Sequence, residues 1–249
     1  MDKEVWLLLF IGHVLGDFYF QSSSLAKAKE TSVKKLRLHC LLYLVAMVGV
    51  TLAVFNWSLF SVAIVVSVLH FVIDGLKFLL TKYVSIKKDK NATIFLADQG
   101  LHILVLLLAA GYIKIHSIEI NYVTGLEFLI NMFDLDMEHL LSWILILLVL
   151  VQPCSIVIKK VLNRYRPMNE EQLDEGVPNA GALIGILERL FILLMLYVNQ
   201  FTAIGFVLTA KSIARYNKIS ENPQFAEYYL LGTLMSTLLI IISYFLIFL

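Results

Sequence analysis

Long, uninterrupted apolar segments separated by short polar connections dominate the pattern of the chain. A helix needs about 20 residues to cross a hydrocarbon core of roughly 30 Å. Lipid offers no partner to backbone polar groups, and the segments are continuous rather than alternating, so the pattern predicts an all-α, polytopic transmembrane helical bundle. The eight predicted spans are 4–20, 38–55, 59–82, 93–113, 138–160, 180–198, 201–216 and 226–248.

Basic residues concentrate in alternate connections, and this asymmetry predicts the orientation. Most lysines and arginines lie in the connections 21–37, 82–92 and 159–178 and in the stretch 211–223, which overlaps the connection 217–225, whereas 114–137 is acidic. Because positively charged loops remain on the cytoplasmic side, we expect these four connections inside and both termini outside.

Two lobes are predicted within one membrane domain. The connection near residue 170 is rich in proline, glycine and acidic residues, as linkers are. The predicted division is a first lobe at 1–162 with spans one to five, a cytoplasmic linker at 163–179, and a second lobe at 180–249. Spans six and seven are short and joined by Asn199 and Gln200, so a re-entrant hairpin is an alternative to two full crossings.

Composition agrees with a membrane protein. Of 249 residues, 59% are hydrophobic and 16% charged, and the net charge is +1. This balance gives no indication of nucleic-acid binding. Cys40 and Cys154 both fall in predicted spans, which argues against a disulfide framework. Phosphate-binding loops, dinucleotide-binding glycine motifs and serine elbows are absent from the sequence.

Histidine and aspartate occur in pairs four residues apart on three predicted spans. On a helix, residues at this spacing share one face. The predicted topology places every pair in the cytoplasmic half of the bilayer, so the pairs are expected to meet at one site, with His39 at its rim. The seven residues are His13, Asp17, His39, His70, Asp74, Asp98 and His102.

This combination of side chains predicts a metal site. An aspartate at the centre of a span costs about 2.5–3.5 kcal/mol, so buried carboxylates need partners. Imidazole nitrogen and carboxylate oxygen together suit a divalent metal such as Zn, Mn or Fe. Gln21, one turn beyond Asp17, is a candidate supporting donor. Two alternatives are His–Asp pairs that only hold helices together and a relay for protons or ions.

A second polar cluster is predicted in the second lobe. Arg189, Lys211 and Arg215 are candidates to hold an anion such as an acidic lipid headgroup, with Glu188 and Glu227 in support. The alternative is that the basic residues only mark the cytoplasmic side and extend to the interface.

Several motifs resemble a known family. They are G-H-x-x-G-D-F-x-x-Q at Gly12 to Gln21, H-F-x-I-D in span three, D-Q-x-x-H at Asp98 to His102, G-x-L-E-R and A-K-S-I-A-R. Together they are similar to bacterial polytopic membrane proteins of unknown function, of the DUF3307 type, and the resemblance implies a bacterial cytoplasmic membrane. The His and Asp motifs of the first lobe have a fainter likeness to membrane-bound metal-dependent hydrolases.

The leading functional hypothesis is a metal-dependent hydrolase that acts on a lipid or amphiphilic ester or phosphate at the cytoplasmic leaflet. Asp17, Asp74 and Asp98 are the candidate catalytic carboxylates. One rival is an ion- or proton-coupled transporter, which needs polar groups at several depths rather than at one. Another is a non-catalytic membrane sensor or partner protein. The sequence leaves the oligomeric state open.

Overall fold

The fold is helical throughout the part of the chain that the computed structural model describes, residues 2–54, 56–83, 91–118, 121–166 and 180–248. This confirms the all-α prediction. The helices are α1 (Asp2–Val14), α2 (Ser23–Ala28), α3 (Val33–Thr51), α4 (Trp57–Tyr83), α5 (Asn91–Ile115), α6 (Thr124–Phe133), α7 (Met137–Val151), α8 (Pro153–Leu162), α9 (Ala180–Tyr197), α10 (Phe201–Ala214), α11 (Tyr216–Glu221) and α12 (Pro223–Phe248).

Five helical segments in the described residues are long and apolar enough to cross a membrane. These properties are those of an integral membrane protein. The remaining predicted crossings correspond to α1, α3 and the shorter apolar helix α10. The five segments are Trp57–Tyr83, Ala92–Ile115, Met137–Tyr165, Ala180–Tyr197 and Pro223–Phe248.

Helix contacts divide the chain into two compact units, Met1–Leu148 and Val149–Leu249. In the first unit, α1 packs against α3 and α5, α3 against α4, and α4 against α5, so these four helices form a closed ring. The division lies before the predicted one at residue 162, because α8 packs against α9 and α12.

The first unit has an apolar half and a polar half. Leu7, Met47, Ala63 and Leu106 are completely buried and fill the apolar half of the four-helix ring. The polar residues come from the end of α1, the beginning of α3, the second half of α4 and the first half of α5. Successive antiparallel helices therefore bring residues that are far apart in sequence to one end of the bundle.

The contact of α1 and the turn that follows it with α3 depends on two glycines four residues apart. A Cβ atom on Gly16 would lie 3.0 Å from the Cα of Tyr43 and 2.8 Å from its ring. A Cβ on Gly12 would lie 2.8 Å from the sulfur of Met47. Small residues at this spacing let helix backbones approach closely within a membrane.

In the second unit, α12 packs against α8, α9 and α11, and α9 packs against α10. The α9–α10 turn contains Asn199 in the left-handed conformation at φ 57°, which asparagine tolerates better than most residues. The 14 residues of α10 give a helix of about 21 Å, shorter than the hydrocarbon core. Its length therefore keeps the re-entrant alternative open.

Proline at position 153 separates α7 from α8.

Candidate functional site

All seven predicted ligands are buried, with exposures of at most 6%, within the first unit. They come from four different helical segments that surround the polar end of the bundle. His13 lies on α1 and Asp17 on the turn that follows it, His39 on α3, His70 and Asp74 on α4, and Asp98 and His102 on α5.

Asp17 lies in a π-helical turn, Leu15–Tyr19, that continues α1. The turn closes with a hydrogen bond from the Phe20 amide to the carbonyl of Leu15 at 2.8 Å. A π turn adds one residue to the helical repeat and thereby redirects the side chains near it, and such turns are frequent at functional sites. Here the carboxylate accepts a hydrogen bond of 2.7 Å from Nε2 of Gln99 on α5.

His39 lies at the centre of the cluster rather than at the predicted rim. Its Nε2 atom is 3.3 Å from Oδ1 of Asp17 and 3.2 Å from Oδ2 of Asp74. The same atom is 3.2 Å from Nε2 of His70. The difference arises because α3 begins at Val33, before the predicted start at 38, so His39 falls in its second turn.

The Nε2 atom of His39 has more close polar neighbours than it can pair with by hydrogen bonding. An imidazole Nε2 carries at most one hydrogen, so it donates to only one of the three neighbouring atoms. The other ring nitrogen, Nδ1, is buried and has no hydrogen-bond partner among the described residues. A crowded set of nitrogen and oxygen donors that hydrogen bonds cannot fully pair is suited to a cation.

A second group of atoms surrounds His102. Its Nε2 lies 3.7 Å from Oδ1 of Asp74 and 3.7 Å from Oδ1 of Asp98. These separations are too long for hydrogen bonds. All three atoms are buried and lack a hydrogen-bond partner within the described part of the chain. Atoms about 2.1 Å from one tetrahedral ion lie about 3.4 Å from each other, so this spacing is close to that of a metal site.

The ligand atoms form two overlapping groups that could each hold a metal ion. One group is Asp17, His39 and His70, and the other is His70, Asp74 and His102. Within each group the ligand atoms lie within 4.8 Å of one another. Mixed imidazole and carboxylate ligands suit Zn, Mn or Fe. The residues present therefore fit the predicted type of cofactor.

Tyr43 organises the histidines, and the sequence analysis missed it. Its hydroxyl is 3.2 Å from Nδ1 of His13. Its ring stacks on that of His70 at 3.6 Å between centroids, and His70 in turn stacks on His102 at 4.2 Å. Tyr43 lies four residues after His39 on α3, so the same helical spacing that identified the other pairs could have found it.

Two lysines also enter the site; sequence reasoning assigned Lys29 only to topology and did not single out Lys77. Nζ of Lys29 is 2.9 Å from Oδ2 of Asp74 and 3.7 Å from Oδ1 of Asp17. Nζ of Lys77 is 2.7 Å from Oδ2 of Asp98. Burial acts to lower the pKa of Lys29, which follows α2, but Asp17 and Asp74 outweigh it and raise that pKa. The lysines bring positive charge to the carboxylates.

The side chain that donates a hydrogen bond to Asp17 in the described residues is Gln99, not the predicted Gln21. The Oε1 atom of Gln21 is buried without a hydrogen-bond partner in the described residues. Gln99 belongs to the D-Q-x-x-H motif, so its identity was visible in the sequence. The sequence did not show that its side chain binds Asp17, because Asp17 is 82 positions away.

The polar residues of the second unit have separate partners. Lys211 pairs with Glu188 at 2.7 Å and donates to Thr233 at 3.4 Å. Arg215 and Glu227 are exposed.

Arg189 is 3% exposed and binds only oxygen acceptors without formal charge in its recorded hydrogen bonds. It donates to the Leu150 carbonyl at 2.9 Å, to Ser155 at 2.5 Å and to Ser236 at 3.5 Å. Anion binding by Arg189, Lys211 and Arg215 stays a prediction.

Fold and site together define a class: helical membrane proteins with a buried His/Asp cluster at one end of a four-helix ring. Residues 5–130, just over half of the chain, match the family described as a protein of unknown function, DUF3307. The chain belongs to that family, and the matched region contains all seven buried ligands. No curated protein and no solved structure matches the chain. The likeness to membrane-bound hydrolases rests on the sequence motifs alone.

Proposed function

We propose that this protein is a membrane-embedded, metal-dependent hydrolase that cleaves an ester of a lipid or another amphiphile at the cytoplasmic leaflet. The observation that carries the proposal is the group of buried ligand atoms on His70, Asp74 and His102, in which Oδ1 of Asp74 and Nε2 of His102 have no hydrogen-bond partner among the described residues. Oδ1 of Asp74 and Nε2 of His102 lie 3.7 Å apart, a spacing suited to a shared ion.

The charge of the cluster supports a bound cation. Asp17, Asp74 and Asp98 are three carboxylates, and their nearby ammonium groups are those of Lys29 and Lys77. With neutral imidazoles, this set carries one net negative charge in a buried site. Three buried carboxylates close together repel one another, and a divalent cation among them would relieve that repulsion.

His70, Asp74 and His102 are the residues that would hold the metal, with Asp17 and His39 available for a second ion. A divalent metal in such a site supplies a Lewis acid and lowers the pKa of a coordinated water to about 7. Asp98 is the candidate general base, because its Oδ1 atom is unpartnered beside His102. The Tyr43 hydroxyl fixes the orientation of His13, and the Gln99 amide fixes that of Asp17.

Hydrolysis balances with water as the only co-reactant. The water oxygen forms a bond to the phosphorus or carbonyl carbon of the ester, and Asp98 accepts a water proton. The bond between that centre and the leaving oxygen breaks with its electron pair. The leaving alkoxide takes that proton from Asp98 and departs as the alcohol, which regenerates the base.

Hydrolysis of a panel of short-chain phosphate and carboxylic esters by detergent-purified protein tests this function. We expect a chelator to remove the activity and Zn²⁺ or Mn²⁺ to restore it. We also expect His102→Ala to abolish it. His116→Ala is the matched control, because His116 is exposed beyond the end of α5. Metal-loaded protein that cleaves neither ester class, or His102→Ala with full activity, would contradict the proposal.

A further inference from the structure

Two lysines and two apolar side chains line a small opening that reaches the buried cluster from the surface. The opening has Lys29, Lys77 and Asp74 as polar walls, and Leu36 and Phe78 as apolar walls. Its volume of about 10 Å³ is enough for roughly one water molecule, so a larger group enters only if Lys29 and Lys77, which form its walls, move. Lys29 and Lys77 are 11% and 21% exposed at their side chains, so they stand between the cluster and the outside.

A bound metal would change the partners of these lysines. In the described structure, each ammonium group lies against a carboxylate that is a candidate metal ligand or base. One divalent ion reverses the net charge of the buried set from one negative to one positive. Glu30 also lines the opening, but it is exposed and therefore screened by solvent. A loaded site would then attract an anion at the position of the lysines.

We propose that the metal-loaded site binds a phosphate group at this opening, with Lys29 and Lys77 turning from Asp74 and Asp98 to the phosphate oxygens. This rests on the proposed function and narrows its substrate class to phosphate esters. A neutral carboxylic ester offers the two ammonium groups no charged acceptor, whereas phosphate accepts charge-assisted hydrogen bonds from both. The phosphate belongs to a lipid headgroup or to a soluble ester, and Leu36 and Phe78 favour one with an attached apolar group.

The test uses full-length protein in detergent, loaded with Mn²⁺ and titrated with inorganic phosphate. Paramagnetic broadening of the ³¹P signal reports phosphate held close to the metal, and Mn²⁺ binding is measured separately by electron paramagnetic resonance. The same titration with dihexanoyl phosphatidic acid distinguishes the two sources, because tighter binding of this short lipid indicates a lipid headgroup and equal binding a soluble ester.

Three double variants make the test specific. Lys29→Ala with Lys77→Ala is expected to weaken phosphate binding by about tenfold or more for each lysine, while Mn²⁺ affinity stays equal or rises. Lys29→Arg with Lys77→Arg should retain phosphate binding within a few-fold. Lys34→Ala with Lys35→Ala is the matched control, because both residues are exposed on the first turn of α3.

The outcomes separate this inference from the proposed function. If the alanine pair holds Mn²⁺ and binds phosphate as tightly as the parent protein, the inference is overturned and the metal site stands. Loss of Mn²⁺ from the alanine pair also overturns it, since the lysines would then support the metal site itself. Failure of the parent protein to bind Mn²⁺ or Zn²⁺ would refute the proposed function, and this inference with it.

Discussion

Substitution of Gly16 tests whether close packing of the π turn after α1 against α3 builds the site. In Gly16→Ala, the new Cβ would lie 3.0 Å from the Cα of Tyr43, and a backbone atom cannot rotate away. Ordinary contacts of this kind are about 3.5–4.0 Å, so the helices must separate by roughly half an ångström or more. Overpacking of this kind typically costs about 1–3 kcal/mol.

The displacement acts directly on the ligands, because Tyr43 stacks on His70 and its hydroxyl lies beside His13. We therefore expect Gly16→Ala to lower both the free energy of unfolding and the metal affinity. Denaturant titration in detergent measures the first, and competition with a fluorescent chelator measures the second. A shift of about 1.4 kcal/mol is a tenfold change in affinity.

Two other glycines provide graded controls. In Gly12→Ala, the closest contact is the Met47 sulfur at 2.8 Å, near the end of a flexible side chain, and the nearest backbone atom, the Cα of Met47, is 3.4 Å away, so a smaller loss is expected. Around Gly49 nothing lies within 4 Å, and Gly49→Ala should be neutral or stabilise by about 0.5–1 kcal/mol through helix propensity. Equal effects of all three substitutions, or unchanged metal affinity in Gly16→Ala, would refute the reasoning.

Three further predictions concern other parts of the chain. Tyr43→Phe keeps the ring stack on His70 and should lower metal affinity less than Tyr43→Leu, as chelator competition would show; equal losses would contradict this. Lys211→Met leaves Glu188 unpaired and should destabilise by about 3 kcal/mol in denaturant titration, whereas Lys211→Met with Glu188→Gln should recover much of the loss; no recovery would contradict the ion pair. Glu30→Cys, with Cys40 and Cys154 replaced by alanine, should react with an impermeant thiol reagent only after cells are opened, and labelling in intact cells would contradict the predicted orientation.

The helical fold and the membership of the buried cluster could be predicted because both depend on local patterns. Apolar segments of span length require helices in lipid, and a spacing of four residues places His70 with Asp74 on one face of α4. The separation of 3.8 Å between Nε2 of His70 and Oδ2 of Asp74 agrees with that expectation. Intramembrane carboxylates also need partners, which directs attention to Asp17 and Asp98.

Side-chain partners from distant parts of the chain could not be predicted from one sequence. Lys29 lies in a basic loop, where the positive-inside rule already accounts for it, so its contact with Asp74 across 45 positions has no local signal. The central place of His39 depended on where α3 begins, and helix boundaries are the least certain part of a sequence-based prediction. The π turn at Asp17 has no periodicity that distinguishes it from ordinary helix.

X-ray absorption at the zinc K-edge of purified, Zn²⁺-loaded protein tests the central claim, a metal ion held by buried imidazole and carboxylate groups. We expect nitrogen and oxygen neighbours at about 2.0–2.1 Å, together with the outer-shell scattering of at least two imidazole rings. His70→Ala with His102→Ala should lose that imidazole scattering, and His116→Ala should retain it. A spectrum with only water or sulfur neighbours, or no zinc retained by the parent protein, would contradict the account.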